Sequence, residues 1–356
     1  ITKEKLTDAM PWWSLPETMR AIVLVQQLCK DSSIPEDWFL SCFTSFNTFY
    51  YFQSAVPIAI QTINTKGEPI KVIPATPDLD PGYHTGLSFI SCYDALALTS
   101  HLMYSGAEIE VEVDKGFVLC GHVARSAPCT HVLDPLYVKV CYLQEPYGKV
   151  ALIHADVLEF SSDWIGTMRA KISSILTINE SNIHLSATHT HTAPTVIPLG
   201  SLNPHYQFLE HLEESIIKGC YKVLSLKEPV TIVSTSFRSS IGINRRFFHK
   251  ETGKITMRPN EGGSRDDEIV VMALRDLDNH IRSIWVNIAV HPTTLGVSVT
   301  AISADYPGRV SKKIQELLGS DVLVLPFTGA CGDVRPRVIS MDGKNFRDGG
   351  EQDIID

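Results

Sequence analysis

Two histidines stand one residue apart in Ala187-Thr188-His189-Thr190-His191-Thr192-Ala193-Pro194, just after the short apolar run Ile183 to Ala187. Read as a strand, that run has a side-chain period of two, which places His189 and His191 on one side of the sheet. Paired imidazoles at a sheet edge are the beginning of a metal site, zinc being the ion that nitrogen donors suit best. A third histidine follows about a hundred residues later. Ile284 to Val290 reads as a buried strand, and His291-Pro292-Thr293-Thr294 ends it. Ligands drawn from separate strand ends build a metal centre well, because the scaffold fixes their separation.

Other polar groups fall at element ends in the same region. Asp156 closes a strand. Asn244-Arg245-Arg246 follows a run of small residues. Ser303-Ala304-Asp305-Tyr306-Pro307-Gly308 opens a helix, and Gly332-Asp333 sits in a glycine-rich turn. Asp305 as a helix cap and Asp333 as a turn residue are the ordinary alternatives. Taken together these residues describe the rim of an α/β enzyme.

The elements that would position them alternate from about residue 108 onward. Strands are expected at Ile109 to Val113, Val150 to Val157, Val230 to Ser236 and Val322 to Leu325. Ile269 to Leu274 and Ile284 to Val290 form a hairpin around Asp276-Leu277-Asp278-Asn279. Ser161-Ser162-Asp163 caps a helix with Trp164, Ile165, Met168, Ile172 and Ile175 on its apolar face. A second helix over Tyr206 to Leu224 turns Leu209, Leu212, Ile216, Cys220 and Val223 inward, and Pro307 to Leu318 is a third. This order predicts a layered α/β sandwich with a mixed β-sheet for residues 108–356. Residues 1–107 form a separate aromatic-rich region with no motif that carries chemistry. Helices are expected there over Met19 to Leu28, after Ser33-Ile34-Pro35-Glu36-Asp37, and over Ser88 to Met103.

Composition excludes several classes of function. The chain carries 31 Lys and Arg against 40 Asp and Glu, a net charge of −9 with no basic block, so nucleic acid is not an expected partner. No apolar run is long enough to make a transmembrane segment. The first residue is Ile1, which reads as a processed or trimmed chain or a fragment. The eight cysteines lack metal-knuckle spacing and read as small core residues; a Cys120–Cys129 bridge is the alternative in an oxidising compartment. The weakly acidic balance permits either compartment, with the cytoplasm preferred over secretion. The oligomeric state is not legible.

Residues from about 108 to 340 resemble the N-terminal catalytic domain of the neutral/alkaline non-lysosomal ceramidase family, closest to its bacterial ceramidase-like branch. The resemblance rests on His131-Val132-Leu133-Asp134-Pro135-Leu136-Tyr137, Ser186 to Pro194, Asn244-Arg245-Arg246, Val290-His291-Pro292-Thr293, Ser303 to Gly308 and Gly329 to Pro336, in that order. It implies a zinc-dependent amidase cleaving an N-acyl bond in a small or lipid-like molecule. By resemblance His189 and His291 are zinc ligands. His191 stands beside the metal to stabilise the oxyanion, and Arg245 or Arg246 holds a polar or anionic part of the substrate. Thr192 and Arg335 are further substrate-binding candidates, and Asp156 is a candidate third ligand.

Two departures bear on that implication. The family's Gly-Asp-Val-Ser-Pro-Asn, whose serine is the assigned nucleophile, here reads Gly332-Asp333-Val334-Arg335-Pro336-Arg337. A permanently protonated arginine cannot replace that serine, so metal-activated water is the expected nucleophile, with Asp156, Asp305 or Asp333 as base. The family's glutamate and tyrosine ligands lie beyond this motif. That leaves the remaining ligands open between Asp156, Asp305, residues 1–107, a second chain and their absence. A catalytically degenerate ligand-binding homologue and a metal-dependent esterase or phosphoesterase are the alternative functions.

Overall fold

The computed structural model describes residues 102–354 except 146, 147 and 226. Before residue 102 it describes 10–11, 18–23, 37–46, 48, 62–63 and 66. The chain divides into two units between His101 and Leu102. In the first unit, Met10–Pro11 pairs antiparallel with Thr62–Ile63, residues 18–23 are helical, and Asp37–Phe46 is a helix. Met19 and Val23 are buried against Phe39 and Cys42. The rest of the helix expected over Met19 to Leu28 lies outside the described residues, as does most of the one expected over Ser88 to Met103. Leu102 and Met103 instead begin a strand.

The second unit is a mixed α/β fold built on an eight-stranded mixed sheet. Its strands in chain order are β1 (Leu102–Val111), β2 (Leu136–Glu145), β3 (Gly148–Ala155), β4 (Ile183–Ala187), β5 (Glu228–Arg238), β8 (Glu268–Asp276), β9 (Ile281–Ile288) and β10 (Leu323–Thr328). β6 (Gly242–His249), β7 (Lys254–Asn260) and β11 (Val334–Pro336) make a separate three-stranded sheet. The large sheet runs β10-β9-β8-β5-β1-β2-β3-β4. Its two outermost pairs, β9 with β10 and β3 with β4, are parallel, and the pairs between them are antiparallel. The β8–β9 hairpin forms as expected around Asp276 to Asn279.

Strand alternation sorts the core. In β2, Leu136, Val138, Val140 and Tyr142 face one cluster, while Cys141 and Leu143 face another. The first cluster takes in helix α1 (Ser162–Leu176) through Met168, Ile172 and Leu176, and helix α2 (Tyr206–Lys222) through Phe208, Leu212, Ile216 and Cys220. Each such fully buried side chain contributes about 1.5–3 kcal/mol. The Ser161 side chain accepts from the Trp164 amide and fixes where α1 begins. Helix α3 (Asp305–Leu318) packs Tyr306, Val310 and Ile314 on β9 and β10.

β4 and β10 are opposite edges of one sheet, yet Thr328 at the end of β10 donates its hydroxyl to the Thr188 carbonyl, just beyond β4, at 2.6 Å. The His154 ring of β3 also lies 5.3 Å from the Phe327 ring of β10. The sheet therefore bends back until its edges meet. The segments leaving the carboxyl ends of β3, β4, β9 and β10 converge there. They carry Asp156, His189 with His191, His291, and Cys331 with Asp333.

Cys120, Cys129, Cys141 and Cys220 are buried free thiols, and Cys42 and Cys331 are partly buried free thiols. The Cys120–Cys129 bridge considered from sequence does not form, and both thiols serve as core packing.

Candidate metal centre

One ligand nitrogen from each of His189, His191 and His291 lies within 4.8 Å of the others. The ring centroids are 5.3 Å apart for His189 and His191, 4.7 Å for His189 and His291, and 4.9 Å for His191 and His291. The convergence does not come from strand alternation. β4 ends at Ala187, and His189 takes a left-handed backbone with φ 63°. That turn, fixed by the His189 amide on the Val157 carbonyl, swings both rings toward His291.

Hydrogen bonds orient the donors. His189 Nδ1 lies 2.9 Å from the Leu158 carbonyl, so it carries the proton and leaves Nε2 as the lone-pair donor. His291 Nδ1 faces the Cys331 carbonyl at 3.4 Å, with the Cys331 sulfur equally near. His291 Nε2 then points at His191 Nε2, 3.1 Å away. Nitrogen donors bound to one tetrahedral zinc at ~2.0–2.1 Å stand about 3.3 Å apart, so this spacing suits a shared cation. His191 Nδ1 is buried without a partner among the described residues.

The surroundings keep His191 and His291 neutral. Burial, then the rings of His291, His122 and His189, push His191 down to about 2. Burial, then the Arg245 guanidinium and His189, push His291 down to about 4. Neutral imidazole is the form that binds metal.

Two residues that sequence reasoning missed complete the centre. The His122 ring lies 5.1 Å from that of His191, and its Nε2 is 3.1 Å from the Leu295 carbonyl. Burial and then Arg125 lower its basicity. Arg125 is buried and donates to the carbonyls of His191 (2.5 Å), Gly296 (2.8 Å) and Cys120 (3.2 Å), tying the three loops of the site together. The available signal was Cys120-Gly121-His122, a glycine and a histidine adjoining in a loop. Gly121 has φ 91°, and a Cβ there would sit 2.5 Å from His191 Cγ and Nδ1. The glycine thus forms the cradle for that ring. Gly121→Ala is expected to weaken zinc binding by about 10–100-fold, as loss of a ligand-orienting contact does, measured by competition with a chromophoric chelator. Unchanged affinity would mean that the ring is not held by this contact.

The remaining expected site residues divide. Arg245 lies at the rim: its guanidinium donates to the Gly332 carbonyl at 2.8 and 3.1 Å, and its charge acts on His291. Arg335 also reaches the rim. It stacks on the Phe346 ring at 4.7 Å, and its charge acts on both His122 and His291. Arg246, one residue along β6, is exposed on the opposite face and is not brought to the cluster. Asp333 is half-buried and accepts from the Asn244 side chain at 3.3 Å. Thr192 is fully buried, and its hydroxyl donates to the Ser303 carbonyl at 2.8 Å, as does that of Thr190. Asp305 is not placed as a base. Its carboxylate accepts from the amides of Tyr306, Leu295 and Thr294 at 2.7, 2.9 and 3.2 Å, which turns three of its about four lone-pair sites to the backbone.

Asp156 does not join the histidines. It is buried, with Oδ2 on the Tyr137 amide at 2.8 Å and Oδ1 unpartnered among the described residues. Burial pushes its carboxyl up to about 6, against the nearby Lys139 charge, which lowers it. A carboxyl raised in the fold contributes stability below its unfolded range and loses it as pH rises through the folded value. That displacement is worth ~3 kcal/mol at most. Asp156→Asn is therefore expected to stabilise the chain at neutral pH by ~1–3 kcal/mol and to flatten the stability profile between about pH 4 and 6, while zinc binding persists. Denaturant unfolding across pH checks this, and a loss of zinc would return Asp156 to the ligand set.

A bent mixed sheet with histidines at the carboxyl ends of its strands defines the class: an α/β fold with a candidate nitrogen-ligand metal centre. No family model matches the sequence. Among solved structures, the fold is similar to a neutral ceramidase from Pseudomonas aeruginosa, with a TM-score of 0.58 and 13% identity over 68% of this chain and 40% of that one. It is also similar to a ceramidase complexed with C2, with a TM-score of 0.53 and 13% identity over 67% of this chain and 39% of that one. The chain thus spans about two fifths of the ceramidase structures that it matches, and at this identity the likeness is one of fold.

Proposed function

We propose that the chain is a zinc-dependent hydrolase that cleaves an amide (N-acyl) bond in a small, lipid-like substrate. The observation that carries this reading is the meeting of three imidazoles, from sequence positions about a hundred residues apart, within 4.8 Å on a ceramidase-like fold. His189, His191 and His291 would hold the ion. Zinc in such a site polarises a carbonyl and acidifies bound water. Arg245 and Arg335 orient the polar end of the substrate and favour negative charge developing on its carbonyl oxygen. His122, whose Nε2 is committed to Leu295, offers Nδ1 to receive or return a proton beside the cluster. No described helix is long and apolar enough to cross a membrane.

The two rim arginines also favour a second reading, a phosphoester substrate. Arg337 does not add to it, because Glu261 holds its guanidinium at 2.7 and 3.0 Å. A panel of N-acyl amides of graded acyl length, set beside carboxyl esters and phosphoesters with and without zinc, separates the readings. Zinc-stimulated amide hydrolysis is the expected result. Turnover of phosphoesters alone would establish the second reading, and zinc binding with no turnover would establish a ligand-binding homologue.

A further inference from the structure

Strands β6 and β7 form a hairpin whose outer half is solvent-exposed on both faces. Phe248 pairs with Ile255 and Arg246 with Met257, so these four share one face. Phe248, Ile255 and Met257 are 55, 62 and 60% exposed, and Phe247 is exposed on the other face. A projecting two-stranded arm gains little from such residues as packing, and a water-soluble surface rarely gathers them. The same segment, Gly242 to Asn260, carries Arg245, Arg246, Lys250, Lys254 and Arg258 against Glu251 alone. Its net charge is +4 in a chain whose total is −9.

We propose that this hairpin is a docking arm for an anionic lipid surface. Apolar side chains flanked by Lys and Arg match the boundary between acyl chains and anionic headgroups, where apolar burial and charge attraction act together. The charge argues against a second copy of the chain as the occupant, since symmetric pairing of two +4 arms sets like charges together. The arm also starts at the metal centre: Arg245 in β6 binds the loop carbonyl of Gly332, and its charge is felt at His291. On the docking face itself, the Met257 sulfur lies 3.8 Å from the Arg335 guanidinium, so a lipid surface gripped by the arm would lie near the rim of the site. This placement rests on the reading of the substrate as lipid-like, but docking is measured without catalysis.

The test is co-sedimentation of the full chain with vesicles of phosphatidylcholine alone and of phosphatidylcholine with about 30% phosphatidylglycerol, the anionic lipid supplying the attraction. Binding to the anionic vesicles only, weakened by salt, is the expected result. Phe248→Ser with Ile255→Ser should weaken it ~100-fold through lost apolar burial. Lys250→Gln with Lys254→Gln should weaken it ~20-fold, at about fivefold per charge. The second variant decides the matter if the first misfolds by circular dichroism. Absence of wild-type binding, or variants that bind as the wild type does, would overturn the proposal. So would a dimer in sedimentation velocity that the serine variant abolishes, which would assign the arm to a second copy. Vesicle binding without N-acyl hydrolysis leaves the arm standing and removes the hydrolase reading; hydrolysis of a soluble short-chain amide without vesicle binding does the reverse.

Discussion

His291→Ala is expected to lower zinc affinity by about 10²–10³-fold and to abolish zinc-stimulated hydrolysis. The magnitude follows from the binding free energy of a protein zinc site, ~10–16 kcal/mol shared over about four donors, which leaves ~2.5–4 kcal/mol for each. His291 stands between the two halves of the centre. Its Nε2 faces His191 at 3.1 Å, and its ring contacts that of His189. Without it, the pair left at the β4 edge has no donor opposite. The loss should be specific to the metal, because the loop around residue 291 is held independently: the His291 amide binds the Val334 carbonyl, and Tyr306 donates to the Val290 carbonyl at 2.6 Å. Zinc titration and thermal unfolding of the same preparation check both parts. Affinity within threefold of the wild type would remove His291 from the ligand set.

Asp305→Ala should produce the largest loss of stability, on the order of 3–5 kcal/mol. This carboxylate is fully buried and satisfies three backbone amides, two of them in the loop that follows His291. Each amide left unsatisfied costs about 1–3 kcal/mol. The backbone at 305 is also left-handed, φ 56°, which aspartate and asparagine tolerate better than alanine. In a unit of this size each kcal/mol lowers the melting temperature by about 2–4 °C, so a fall of ~10 °C or more is expected by calorimetry. Asp305→Asn should recover part of it, because its oxygen can still accept while its amide nitrogen cannot. If Asp305 were instead a catalytic base, both variants would melt near the wild type and lose turnover alone.

The three helices of the second unit and the β8–β9 hairpin were legible because their signals are local. The Ser161 cap, the apolar stripe through Met168 and Ile172, and the turn at Asp276 to Asn279 each lie within a few residues of what they specify. The metal centre was legible as a set of histidines at strand ends, but not in its geometry. The expected side-by-side placement of His189 and His191 assumed that the strand continued, whereas it stops at Ala187 and a left-handed turn takes over. The backbone contacts of Thr192 and Asp305 were not legible for a related reason. A hydroxyl or carboxylate at an element end is equally well used by the backbone, and which use prevails depends on Ser303, Thr294 and Leu295 arriving from elsewhere. His122 and Arg125 belong to a loop without periodicity, marked locally by nothing more than the adjoining glycine and histidine of Cys120-Gly121-His122. Bending of the sheet, which joins Thr188 to Thr328, is a long-range event that no local pattern encodes.

Anomalous diffraction at the zinc edge from crystals grown with the metal tests the central claim most directly. One strong peak within bonding distance of nitrogens from His189, His191 and His291 is the predicted result. A peak elsewhere, or a zinc-saturated crystal with no peak among these rings, would contradict it.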